Sequence, residues 1–352
     1  MRSRLTIWIL ILSCTLSCVE SFDFSATDPD NFLVVDGRIT QSQGMVNQIL
    51  LSRTSTFIGG DGTPETGAQI VIVTGEGLTE NYQEVSPGMY LLEGDNVVGA
   101  EGNSYSIEIT LSNGEIYRSQ PEVMPSLVRA DSIYFRTAIE SELSSGGIVI
   151  DRELVKIFID TPISSNDVPF RIRWTMEEAY SFTDLAFPPD SPMVCYAISP
   201  FQQQTILLAS GEDLSLTTLK EFELGSRSII PKVEFVELHY FSAFQHSLTE
   251  EAYEYWEKIA QLTNRVGTIF DTPPAPVQGN VFNVNDPEEV VLGYFEVTAI
   301  DTIRTFTRPS ELEPFFINSP CEFSGRRLQD FCFNCLLLDK TSLERPDYWG
   351  QR

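Results

Sequence analysis

The strict alternation over residues 105–111 limits the fold of this chain more than any other feature. Tyr105, Ile107, Ile109 and Leu111 alternate with Ser106, Glu108 and Thr110. A period of two turns one set toward a core and the other toward water, as in a strand of an antiparallel sheet. Asn113-Gly114 follows, the dipeptide favoured in tight hairpins, and residues 116–119 form the return strand. Residues 32–40, 48–54 and 68–74 carry the same β-branched enrichment, and residues 87–92 start another strand. Breaker-rich loops at 58–64 and 75–77 separate them. Short strands, frequent turns and no helical period predict an immunoglobulin-like β-sandwich over residues 28–122. Tyr105 reads either as a tyrosine-corner residue whose hydroxyl ties down nearby backbone or as an ordinary half-buried core tyrosine.

Pro121 and Pro125 mark a junction. The remainder, 123–352, reads as a second β-rich domain with an inserted helix. Strands are expected at 131–136, 154–160, 170–175, 233–240 and 290–300. Arg171 and Arg173 alternate with Phe170, Ile172 and Trp174, which predicts one shared solvent-facing side for the arginines. Such a pair suits either a carboxylate clamp or cross-strand partners of Glu and Asp. Residues 182–199 are rich in Pro and Asp and predict a long loop carrying Cys195. The helix is expected at 248–264. Ser247 and Glu250 fit a capping box, and Leu248, Ala252, Tyr255, Trp256, Ile259 and Leu262 form one apolar stripe that must pack on something. Pro273, Pro274 and Pro276 predict an extended run over a surface. Together with Tyr348 and Trp349 these prolines are the candidate partner contacts.

The first residues give an address. Arg2 and Arg4 precede an apolar run over 5–12, and small residues lead to Cys18. This is the layout of a signal peptide over 1–17, and the run is too short to span a bilayer as a permanent helix. A cysteine at the cut site resembles a bacterial lipobox, with Cys18 as the lipidation candidate and Cys14 as a competitor. Residues 18–27 then read as a polar tether. Acidic residues this close to the lipid cysteine suit exposure at the cell surface, with the periplasmic face as the alternative. In an exported chain the four remaining cysteines, Cys195, Cys321, Cys332 and Cys335, read as disulfides, and the three pairings stay open. Cys332-x-x-Cys335 also has zinc or redox spacing.

Fifty acidic against 23 basic residues leave a formal charge of −27. That excludes nucleic acid, which requires clustered Lys and Arg, and argues against adhesion to anionic lipid. No nucleophile elbow, phosphate-binding glycine loop or His-Glu-x-x-His occurs, and His239 and His246 are the two histidines. Asp61, or Asp286 with Glu288 and Glu289, could serve calcium, though without EF-hand spacing. No catalytic residue, metal or cofactor is expected.

Several segments recur together in one family. They are residues 250–256 (EEAYEYW), 270–274 (FDTPP), 279–281 (GNV), 291–295 (VLGYF), and Cys332-Phe333-Asn334-Cys335 followed by residues 345–349 (RPDYW). The set resembles the Bacteroidetes outer-membrane lipoproteins grouped as domain of unknown function 4249. The resemblance implies a lipid-anchored accessory protein partnering a TonB-dependent β-barrel receptor in nutrient uptake, and it brings no catalytic residues. The alternatives are a structural or adhesive envelope lipoprotein and a hydrolase of exported polymers.

Overall fold

The computed structural model describes residues 31–41, 45–55, 62–94, 97–143, 146–166, 168–185, 191–202, 205–212, 216–229, 233–263, 276–315, 317, 319–322 and 328–350. It is mainly β. The first part of the chain supplies β1 (Leu33–Thr40), β2 (Gln48–Arg53), β3 (Thr63–Pro64), β4 (Gln69–Thr74), β5 (Thr79–Ser86), β6 (Met89–Leu92), β7 (Ser104–Thr110), β8 (Ile116–Ser119) and β9 (Glu122–Val123). Next come β10 (Ser132–Leu143), β11 (Val149–Pro162), the short pair β12 (Ser164–Ser165) and β13 (Val168–Pro169), β14 (Arg171–Thr183), β15 (Val194–Pro200), β16 (Leu207–Ser210) and β17 (Thr218–Ser228). The chain then forms β18 (His239–Ser247), the helix α1 (Glu250–Thr263), β19 (Val281–Asn283), β20 (Leu292–Thr307) and β21 (Thr341–Ser342). No helix among the described residues is long and apolar enough to cross a membrane.

The alternating segment becomes β7, with Tyr105, Ile107 and Ile109 inside. The Tyr105 hydroxyl donates to the Val98 carbonyl and accepts from Ala100 N–H, both at 2.9 Å, so it does tie down its neighbouring backbone. Leu33, Val35, Ile49, Ile72, Tyr90 and Tyr117 complete the first core. A second core lies where the antiparallel sheet β10-β11-β17 covers β14 and β18, burying Ile157, Ile159, Trp174 and Phe241.

The main sheet runs β19-β8-β7-β4-β5-β6-β2-β1-β20-β18-β14-β15-β21. The sandwich expected from 28–122 is thus extended by two strands from far along the chain. β19 pairs with β8, and the first half of β20 pairs with β1. The β1–β20 pairing is parallel, unlike the antiparallel order expected of that module. Parallel neighbours need a long crossover, and here most of the second core lies within it, with Leu312 and Phe315 added after β20. The second half of β20 pairs with β18, so one strand serves both parts. Gly293 makes the join feasible: at φ +85° its missing Cβ would lie 2.1 Å from the Val35 carbonyl oxygen.

Four local expectations are corrected. Residues 233–235 form a 3-10 turn, and the strand begins at His239. Cys195 lies on β15 rather than in a loop, because β14 continues to Thr183 and pairs with it. The helix begins at Glu250 and is capped by Thr249, whose hydroxyl accepts from Ala252 N–H at 3.1 Å. Ser247 instead ends β18 and accepts from Val128 N–H at 3.0 Å. Finally, Arg171 and Arg173 do not share a solvent face, since α1 covers that side and leaves Arg173 only 8% exposed. Their partners are glutamates, but not directly cross-strand ones: Arg171 meets Glu212 after β16 and Glu250 on α1, and Arg173 meets Glu296 on β20, one strand beyond β18.

The cysteines pair as Cys195–Cys335 and Cys321–Cys332. Cys332 and Cys335 are therefore not bonded to each other. Each ties a different point of the tail, and Cys335 joins it to β15. Trp349 is 7% exposed and packs on Tyr240 at 4.7 Å and Tyr196 at 5.1 Å. Tyr348 packs on Tyr240 under the Arg304 guanidinium. These rings hold the tail down, with Trp349 buried among them.

Candidate functional site

α1 spans the place where β1 and β20 run side by side, leaving a cleft of about 400 Å³. Its floor follows from the register: Val34, Asp36 and Arg38 lie opposite Leu292, Tyr294 and Glu296. Alternate residues of paired strands face one side, so these six form three rows under the helix. Tyr255, Trp256 and Ile259, within a single turn, make the roof. Pro276 and Val277 also line it.

The back wall is a buried ionic group. Arg173 Nη2 donates to both carboxylate oxygens of Glu296, at 2.9 and 3.0 Å. Trp256 Nε1 donates to Glu296 Oε2 at 2.7 Å, and the Arg173 guanidinium lies 4.2 Å from the Trp256 ring centre. His246 Nδ1 is 3.3 Å from Glu296 Oε1, and its Nε2 is 3.0 Å from Thr175 Oγ1. Burial pushes the Glu296 carboxyl up, but Arg173, His246 and Trp256 together outweigh it and hold it well below the usual carboxylate range. Burial, with Arg173 adding to it, pulls His246 down to about 4, so the ring is neutral at pH 7. On the floor, crowding by protein pushes the Asp36 carboxyl up, and Arg38 opposes that shift.

On the far side of the Tyr255–Tyr294 ring contact, at 4.8 Å, a second hollow is lined by another buried acid, Glu122. It accepts from the Tyr294 hydroxyl, from Thr249 Oγ1 at 3.1 Å and from Asn280 Nδ2 at 3.1 Å. Burial outweighs these donors and pushes Glu122 up to about 7. A folded pKa of about 7 against an ordinary 4.5 means that the folded state holds the extra proton between those values. Stability should then fall as pH rises through that window, by roughly 3 kcal/mol from this group. Glu122→Gln should remove that component. In urea unfolding, the stability of wild type minus that of the variant should drop between pH 4.5 and 8. A difference that stays flat with pH would overturn the assignment.

Glu178, Arg227 and His239 form a similar buried set. Arg227 Nε donates to Glu178 Oε2 at 2.8 Å, and His239 Nε2 is 3.4 Å from the same oxygen. Burial raises the Glu178 carboxyl, but His239 and Arg227 outweigh it and hold it at about 2. His239 and His246 are seven residues apart on one strand, hence on opposite faces, and cannot share a metal. Among the described residues, no group of three or more His, Cys, Asp and Glu is placed to hold a metal ion. Glu289 accepts from Tyr117 and Asn283, and Asp286 accepts from Glu288 N–H within a turn.

Cys18, Asp61, Pro273 and Pro274 lie outside the described residues. Of the prolines singled out, Pro276 is the one placed at the cleft. Sequence reasoning missed Asp36, Arg38 and Glu296. The signal for two of them was available: Leu33, Val35 and Ile39 are buried, and the charges occupy the intervening positions.

Fold and site together define a mainly β, sandwich-type protein with a helix-roofed cleft whose polar groups sit among aromatic walls. The chain belongs to the family described as Domain of unknown function (DUF4249), which matches it over residues 19–304. Comparison with curated proteins and with solved structures returns no match.

Proposed function

We propose that this chain is a lipid-anchored outer-membrane binding protein that captures a small nutrient in the cleft and presents it to a TonB-dependent β-barrel. The cleft carries the reading. Its charged back wall is locked in pairs that fix shape, while its aromatic and aliphatic surfaces face an opening of ligand size. Two disulfides support the exported half of the proposal, because such bonds persist outside reducing compartments. The anchor rests on Cys18 after its apolar leader, and the barrel partner rests on the family resemblance. Extraction of the full chain from its native envelope in mild detergent should recover a TonB-dependent barrel with it, and the N-terminal peptide should carry acyl chains. Recovery of the protein alone, or with an acyl-free N-terminus, would overturn the proposal.

One observation favours a hydrolase instead: Thr175, His246 and Glu296 lie in the order hydroxyl, imidazole, carboxylate. Two facts weigh against it. Arg173 and Trp256 already occupy the carboxylate, and Thr175 does not line the cleft.

A further inference from the structure

The cleft floor carries two opposite charges that form no ion pair among the described residues. Arg38 and Asp36 both line it, two residues apart on the same face of β1. Nε of Arg38 is buried and has no acceptor. Among the described residues, neither side chain forms an ion pair or a hydrogen bond, and the two do not pair with each other. The contrast with the back wall is informative. There the fold satisfies the Glu296 carboxylate with Arg173, Trp256 and His246, although Nε of Arg173, like that of Arg38, has no acceptor. A buried guanidinium nitrogen without an acceptor is costly unless something from outside supplies one.

A ligand with one negative and one positive group would supply the acceptor that Arg38 lacks and meet the exposed Asp36 carboxylate beside it. Residues two apart on a strand have Cα atoms about 6.6 Å apart. A dipeptide spans about 7 Å between its ends when extended. Its carboxylate suits the planar fork of Arg38, and its ammonium suits Asp36. Tyr255 and Ile259 in the roof, with Tyr294 on the floor, offer apolar faces to its side chains, and about 400 Å³ is room enough. We infer that the cleft binds a zwitterion of the amino-acid class, best a short peptide with apolar side chains, with its carboxylate on Arg38 and its ammonium on Asp36. This rests on the proposed reading of the cleft as a capture site and adds the ligand class to it.

The test uses the purified full chain and titration calorimetry. The probes are leucyl-phenylalanine, free phenylalanine, and leucyl-phenylalanine blocked either as its N-acetyl derivative or as its C-terminal amide. The free dipeptide should bind at least tenfold tighter than either blocked form. Free phenylalanine binding as tightly as the dipeptide would keep the zwitterion class but overturn the peptide spacing. Arg38→Gln should erase the preference over the amide, and Asp36→Asn the preference over the N-acetyl form. The comparison of probes on the unaltered chain stands even if a variant fails to fold. Blocked forms binding as well as the free peptide would overturn the zwitterion while leaving the cleft a capture site. Should no probe bind while the barrel still co-purifies, the ligand class is wrong and the partner reading survives.

Discussion

Arg173→Met should destabilise the protein by about 3–5 kcal/mol, the cost of leaving a buried carboxylate without its cation. Glu296 is 4% exposed, and neither Trp256 nor neutral His246 can replace the positive charge beside it. The pH dependence should change sign as well. In the wild type, Glu296 lies below its ordinary pKa of 4.5, so its contribution is complete above that value and is lost as pH falls below it. Without Arg173, burial is opposed only by the Trp256 and His246 contacts and should carry the carboxyl above its ordinary pKa, so lowering the pH should now stabilise the variant. Arg173→Met combined with Glu296→Leu should recover most of the loss, since a buried pair exchanged for apolar groups of similar volume is often close to neutral. Urea unfolding at pH 5 and pH 8 reads all three outcomes. A single-variant loss below about 1 kcal/mol, or a double variant as unstable as the single, would show that the pair is not the fixed wall described above.

The second large effect concerns the tail. Cys195–Cys335 closes a sequence separation of 140, whereas Cys321–Cys332 closes one of 11. The chain-entropy relation gives about 5 kcal/mol for the long loop and about 3 kcal/mol for the short one. Replacing Cys195 and Cys335 together by Ala should therefore destabilise more than replacing Cys321 and Cys332. All four sulfurs are buried in the same small cluster, so packing losses are similar in both pairs and the loop term decides the order. Thermal unfolding under non-reducing conditions checks it. Equal losses, or the reverse order, would mean that local packing rather than the cross-link holds the tail to β15.

Both predictions concern contacts between segments far apart in the chain, and this is where sequence reasoning stopped. The alternation at 105–111 and the hairpin at Asn113-Gly114 were legible because their partners lie within ten residues. The helix was legible for the same reason, although its cap moved from Ser247 to Thr249 once Ser247 was claimed by β18. Arg173 looked solvent-facing by the same period-two rule. That rule reports which residues share a face and says nothing of what covers the face.

Local periodicity thus determined the β class, most strand positions, the single helix and the apolar stripe it would bury. The tertiary structure alone decided that β1 lies against β20, that a cleft forms under α1, which cysteines pair, and that Trp349 packs inward. The physical reason is the range of the forces. Backbone geometry and side-chain alternation act between neighbours in the chain. Burial acts on whichever surfaces meet after residues as distant as Val34 and Leu292 have been brought side by side.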